Sequence, residues 1–118
     1  MLLEDVRKIA LSLPETTEEP HHHMTSFRVK KKIFATAPPD NQHLHIFVGD
    51  DDRSRVTAID PKAFETLTWG SKAAGVRVNL EHADHNLVSE LLYNSWTRKA
   101  PKKLIATEGA DWKPPNES

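Results

Sequence analysis

The chain has 118 residues, 37% of them hydrophobic and 28% charged, which is one domain's worth of sequence with a single modest core. A formal net charge of −1 argues against a strongly basic nucleic-acid binder, and the absence of cysteine excludes disulfides, thiolate metal sites and cysteine nucleophiles. No apolar run approaches the roughly 20 residues of a membrane-spanning helix, and Glu4 and Asp5 interrupt any signal-peptide pattern, so a cytoplasmic protein without membrane contact is expected.

Leu3, Val6, Ile9, Ala10 and Leu13 follow helical spacing over residues 2–13, and Pro14 stops that helix. Residues 14–23 read as a polar loop containing Pro20. Thr25–Val29 and Lys32–Ala37 read as strands about a short turn, Pro38–Asn41 as the next turn and His43–Val48 as a third strand. Asp50, Asp51 and Asp52 suit the first turn of a short helix, where negative charge is favoured. Asp60–Pro61 resembles the cap and first position of a further helical turn carrying Ala63, Phe64 and Leu67. Gly70 and Gly75 bracket a loop, and Gly75–Leu80 reads as the last strand. Asp84 is placed to cap the longest helix, with Leu87, Val88, Leu91, Leu92 and Trp96 on one face and Pro101 at its end. The domain is expected over residues 1–106, with 107–118 a flexible tail holding little to bury except Trp112.

Helices at both ends with strands between them imply an α+β fold: a two-layer α/β sandwich whose antiparallel sheet has helices packed on one face. Alternation along the strands then sorts the side chains. Phe27, Val29, Leu44, Ile46, Val76, Val78 and Leu80 should face the helices. Arg28, Ile33, His43, His45, Phe47 and Arg77 should face outward, and a two-residue turn at Lys30–Lys31 would set Phe27 opposite Phe34. Trp96 belongs to the core stripe; Trp69, before Gly70, either covers the core edge or lines a pocket, with core cover expected, and Tyr93 is expected to be partly exposed.

The run Ser26–Phe27–Arg28–Val29, the run Lys32–Ile33–Phe34–Ala35–Thr36, the segment His43–Leu44–His45–Ile46–Phe47–Val48 and the closing Lys99–Ala100–Pro101–Lys102 together resemble the MmcQ/YjbR-like family of small bacterial proteins, over residues 2–106. The resemblance implies a CyaY-like two-layer sandwich, and a DNA-binding role through its likeness to double-wing transcription factors. It supplies no catalytic residues. Members often carry glycine where this chain has Lys31; since a tight type I′ turn needs positive φ at both central residues, a wider turn is expected here.

Charge is unevenly spread. Arg28, Lys30, Lys31 and Lys32 form one acid-free basic segment, and Arg98, Lys99, Lys102 and Lys103 another. The nucleic-acid reading assigns phosphate contacts to Arg28, Lys30, Lys31, Lys32, Arg77, Lys102 and Lys103, with weak sequence preference because no recognition-helix or zinc-finger pattern is present. Against it stands the plainer reading of solvated element ends, with cations stabilising a helix C-terminus. A second reading is a non-catalytic interaction domain that forms a homodimer through the outer sheet face, hiding Ile33 and Phe47. A third is a metal or small-molecule site built from His21, His23, His43 and His45, although polar-loop histidines account for the same pattern. No nucleophile–base pairing, convergent carboxylates or phosphate-cradling glycine loop is visible, so neither an enzyme nor a cofactor is expected.

Overall fold

The computed structural model describes residues 1–116. Helix α1 (Leu3–Ser12) is followed by strands β1 (Thr16–His21), β2 (Met24–Val29), β3 (Lys32–Ala37) and β4 (His43–Ile46). Helix α2 (Asp50–Ile59), strands β5 (Phe64–Trp69) and β6 (Lys72–Asn79), and helix α3 (His85–Lys99) complete the body, with one turn, α4 (Lys102–Leu104), and a π-helical turn at Ile105–Gly109 beyond it. All strands pair antiparallel in the order β1-β2-β3-β4-β6-β5. The three main helices cover one face in sequence across the sheet: α1 on β1, α3 on β3 and β4, α2 on β5 and β6. The α+β two-layer sandwich is therefore the architecture, and among the described residues no helix is long and apolar enough to cross a membrane.

Alternation placed the core well. Phe27, Val29, Leu44, Ile46, Val76, Val78 and Leu80 are all buried against the helices. Helix α3 starts where the Asp84 carboxylate accepts a hydrogen bond from the Leu87 N–H at 3.0 Å, so one of its orphan donors is satisfied. Its buried stripe runs through Val88, Leu91, Leu92, Ser95 and Trp96. The Ser95 hydroxyl lies 2.6 Å from the Phe34 carbonyl and 3.0 Å from that of Phe47, sharing its proton between two strands. The Trp96 indole donates to the Pro14 carbonyl at 3.1 Å. These contacts tie the C-terminal end of α3 to the sheet and to the end of α1.

Two strands depart from the sequence reading. The polar loop expected over 14–23 contains β1, which pairs with β2 from Thr16↔Val29 to His21↔Met24. Its sequence has no apolar alternation because its inward face is held by charge: Arg7 of α1 donates to Glu18 at 3.0 Å. Pro20 is tolerated because β1 is an edge strand with donors to spare. The helical turn expected to carry Phe64 and Leu67 is β5. Helical spacing of these two residues was misleading, because they lie on opposite faces of a strand: Phe64 joins the core cluster and Leu67 is buried outside it. Thr66, Thr68 and Trp69 fit a pleated strand better than a helix. The last strand also starts earlier than expected, at Lys72.

The β2–β3 connection is tight rather than wide. Val29 pairs with Lys32, leaving Lys30 (φ 49°) and Lys31 (φ 70°) as a two-residue turn with both central φ values positive. Each such residue costs about 1–2 kcal/mol relative to ordinary backbone; the Lys30–Glu15 ion pair at 2.6 Å is half-exposed and returns little of that. The strands on either side, fixed by the core, impose the turn. The pairing of Phe27 opposite Phe34 does not form: a bulge shifts the register so that Phe27 faces Ala35 and Arg28 faces Ile33, with Phe34 the extra residue, fully buried. At Gly75 (φ 153°) the strands β4 and β6 come so close that a Cβ would sit 2.1 Å from the Ile46 carbonyl oxygen.

Beyond α4, Trp112 stacks on Tyr93 with ring centroids 5.3 Å apart, and its indole donates to Ser12 Oγ at 3.0 Å. The Tyr93 hydroxyl donates to the Gly109 carbonyl at 3.2 Å. Of the tail expected over 107–118, residues 117 and 118 lie outside the described residues.

Candidate functional site

The face of the sheet turned away from the helices carries one continuous polar row. Cross-strand partners Glu19↔Ser26, Ser26↔Thr36, Thr36↔His45, His45↔Arg77 and Arg77↔Glu65 run through all six strands. Ser26, Thr36 and His45 are buried although among the described residues no helix packs on this face. Long neighbours roof them instead. Arg28 Nε donates to Ser26 Oγ at 2.9 Å and its Nη2 to the Pro20 carbonyl at 3.3 Å. Arg77 Nη1 lies 3.4 Å from His45 Nε2, and Arg77 Nε lies 3.4 Å from Glu65. A guanidinium only donates, so His45 Nε2 accepts and the ring proton sits on Nδ1. Burial, then the charge of Arg77, then His43 push the His45 pKa below its ordinary value, which favours the neutral imidazole.

A groove of about 660 Å³ opens on this face, within the roughly 300–1,000 Å³ of small-ligand sites. It runs from the β1–β2 turn (His21, His22, His23, Met24) across Ile33, Thr36, His45 and Phe47 to Trp69 and Lys72–Ala74 at the opposite end of the sheet, where Gly49, Asp50, Arg98 and Lys99 close it. Sheet twist, reinforced by bulges at Phe27/Arg28 and Leu67/Thr68, makes the face concave. Trp69 is 64% exposed, against the expectation of a core cover, and its ring rests on Phe47 with centroids 5.1 Å apart at 54°. Phe47 is itself only 9% exposed. The Phe47 carbonyl accepts from Arg98 Nη1 at 2.6 Å, so this cation is held in place by the same residue that backs the indole.

Arg28, Ile33, His43, His45, Phe47 and Arg77 reach the outer face, as alternation requires. None of the seven cations assigned to nucleic acid lines the groove itself. Arg28 is engaged with Ser26 and Pro20, Lys30 with Glu15 and Arg77 with Glu65. Lys31 and Lys32 are exposed at the β2–β3 turn. That turn lies at the end of the sheet where α3 terminates, since Phe34, Phe47 and Arg98 are joined in one hydrogen-bonded chain. Lys102 and Lys103 follow directly in α4 and are exposed. The two basic segments thus share one end of the sheet.

Nothing in the sequence marks Lys72 as a site residue, and Trp69, expected to cover the core edge, lines the groove instead; both depend on β5 being a strand and on the β5–β6 turn that follows it. Lys99 and Arg98 were visible as cations, but only as a helix end. The histidines divide: His21, His23 and His45 line the groove, whereas His43 Nδ1 is bound to Asp40 at 2.7 Å. Burial works to raise the Asp40 pKa, yet the Gln42 N–H, the His43 ring and the His43 N–H together hold it below its ordinary value. Among the described residues no group of three or more histidine, aspartate or glutamate side chains is disposed to hold a metal ion.

The family model described as YjbR matches residues 11–98, about three quarters of the chain. No curated protein and no solved structure matches it. The chain belongs to the YjbR family.

Proposed function

We propose that this YjbR-family chain is a non-catalytic nucleic-acid-binding module of weak sequence specificity, which engages DNA with the basic end of its sheet and the adjoining outer face. The observation that carries the reading is the convergence of two segments far apart in sequence, the Lys30–Lys32 turn and the Arg98–Lys103 stretch, on one end of the sheet beside an exposed tryptophan. Phosphates are neutralised by such clusters with release of counterions, and a chain of net charge −1 needs a local concentration of cations to do so. Lys31, Lys32, Lys102 and Lys103 are exposed and pair with no carboxylate among the described residues, so they contribute most. Lys30, Arg28 and Arg77, already engaged, contribute less.

Fluorescence anisotropy of a labelled DNA titrated with protein at several salt concentrations tests the reading. Binding whose log affinity falls with log salt at a slope of about −3 or steeper is expected, with a flatter slope for the Lys31→Ser/Lys32→Ser variant. No binding at low salt, where electrostatic attraction is strongest, contradicts it.

A homodimer through the sheet face is the competing reading, favoured by the exposure of Trp69. Trp69→Glu, rather than a change at the buried Phe47, is the variant that would dissociate it, and sedimentation velocity of the two proteins distinguishes the readings.

A further inference from the structure

We infer that the groove is a single-strand site, in which an unpaired base stacks on Trp69 while the flanking phosphates lie against Lys72, Arg98 and Lys99. The inference rests on the nucleic-acid reading above and specifies which form of nucleic acid the outer face takes.

Three observations carry it. Trp69 is the one tryptophan left largely in water: Trp96 is fully buried and Trp112 is stacked on Tyr93. Its indole is supported from one side by Phe47, whose carbonyl is fixed by Ser95 and Arg98. The ring is therefore a supported, largely exposed platform in the lining of the groove, and a ring backed this way loses less freedom when a base covers it than an unsupported one would. The three cations at that end of the groove come from two elements, and among the described residues none of them pairs with a carboxylate. Arg98 spends one guanidinium N–H on the Phe47 carbonyl and keeps the rest for a ligand. Among the described residues the one carboxylate in the lining, Asp50, is tied to Arg53 at 2.5 Å. Finally, the groove is concave and backed by aromatic and aliphatic side chains, with Phe47, Ile33 and Val48 in its lining. Bases within a duplex are already stacked on one another and present only their edges, so a duplex leaves this platform empty. A single strand offers base faces and phosphates together, the combination that stacking platforms in basic grooves take without regard to sequence.

The test compares a labelled oligothymidylate with a labelled hairpin duplex, by anisotropy at low salt, for the natural chain, Trp69→Ala, Trp69→Phe and Lys72→Ser/Lys99→Ser. The single strand should bind more tightly than the duplex and quench tryptophan fluorescence. Trp69→Ala should weaken single-strand binding about 5- to 150-fold and abolish the quenching, and leave duplex binding unchanged. Trp69→Phe should restore most of the affinity. The double lysine change should flatten the single-strand salt slope by about 1.4. Circular dichroism checks that each variant is folded; Trp69 is exposed, so its removal should not unfold the chain. If single strand and duplex bind alike and Trp69→Ala changes neither, the inference is overturned while the nucleic-acid reading stands. If neither binds, both fall.

Discussion

The two faces of the sheet are built from the same strands and obey different rules. On the helix side the buried inward positions of the central strands are apolar, and packing explains their burial: Phe27, Leu44, Ile46, Val76 and Val78 lie under α1, α3 and α2. On the other side Ser26, Thr36, His45 and Phe47 are nearly as inaccessible with no helix layer above them among the described residues. There burial comes from curvature and from the long side chains of Arg28, Arg77 and Trp69 lying across shorter neighbours. A face buried by a second layer is committed to stability. A face buried only by movable side chains can be opened by a ligand, and this one also keeps, at one end, a largely exposed indole and cations that pair with no carboxylate among the described residues.

The largest effect should separate the faces by stability. Phe27→Ala removes a fully buried ring from the helix side and should cost about 3–5 kcal/mol in urea unfolding, a large share of the 5–15 kcal/mol typical of a domain. Trp69→Ala, at the outer face, should stay within about 0.5 kcal/mol of the natural chain. A comparable loss from both would erase the distinction. Next comes Gly75→Ala, where the backbone of β6 approaches β4 on a positive φ. A Cβ there collides with the Ile46 carbonyl, so the loss should exceed about 1 kcal/mol; thermal unfolding checks this. A smaller gain is expected for Lys31→Gly. Relief of about 1–2 kcal/mol at φ 70° is partly offset by the greater freedom of glycine in the unfolded chain, leaving a stabilisation below about 1 kcal/mol.

The smallest effect is on pH dependence and belongs to the outer face alone. The folded-state pKa of His45 lies below its ordinary value of 6.5. The unfolded chain therefore takes up this proton at higher pH than the folded one, and the contribution of neutral His45 is complete above about pH 6.5 and is lost as pH falls toward the depressed value. Arg77 and His43 oppose the imidazolium, and Asp40 and Glu65 favour it. Unfolding by urea between pH 7.5 and pH 5 should show falling stability, and His45→Asn should flatten the fall over that interval.

Legibility in the sequence follows the same division. Periodicity found α1, α3 and the core face of β2, β4 and β6, because burial under helices demands apolar residues at fixed spacing. It failed at both edge strands. In β1 the inward residue Glu18 is held by Arg7 and leaves no apolar mark. In β5 Phe64 and Leu67 mimic a helical pair while serving opposite faces. The bulge at Phe34 and the lysine turn are set by tertiary pairing and have no local signal. The groove was half legible: alternation delivered Ile33, His45 and Phe47, but Trp69 and Lys72 depend on β5, whose strand character was missed.

The most direct test of the outer face as the binding surface is a titration of the isotope-labelled protein with oligothymidylate, followed by amide and indole N–H shifts. The account predicts that the Trp69 indole and the amides of His21–Met24, Ile33, His45–Gly49, Lys72–Ala74 and Arg98–Lys99 move together, while Val88, Leu91 and Leu92 under the opposite face stay in place. Shifts confined to the helix side, or none at oligonucleotide concentrations where anisotropy reports binding, would contradict it.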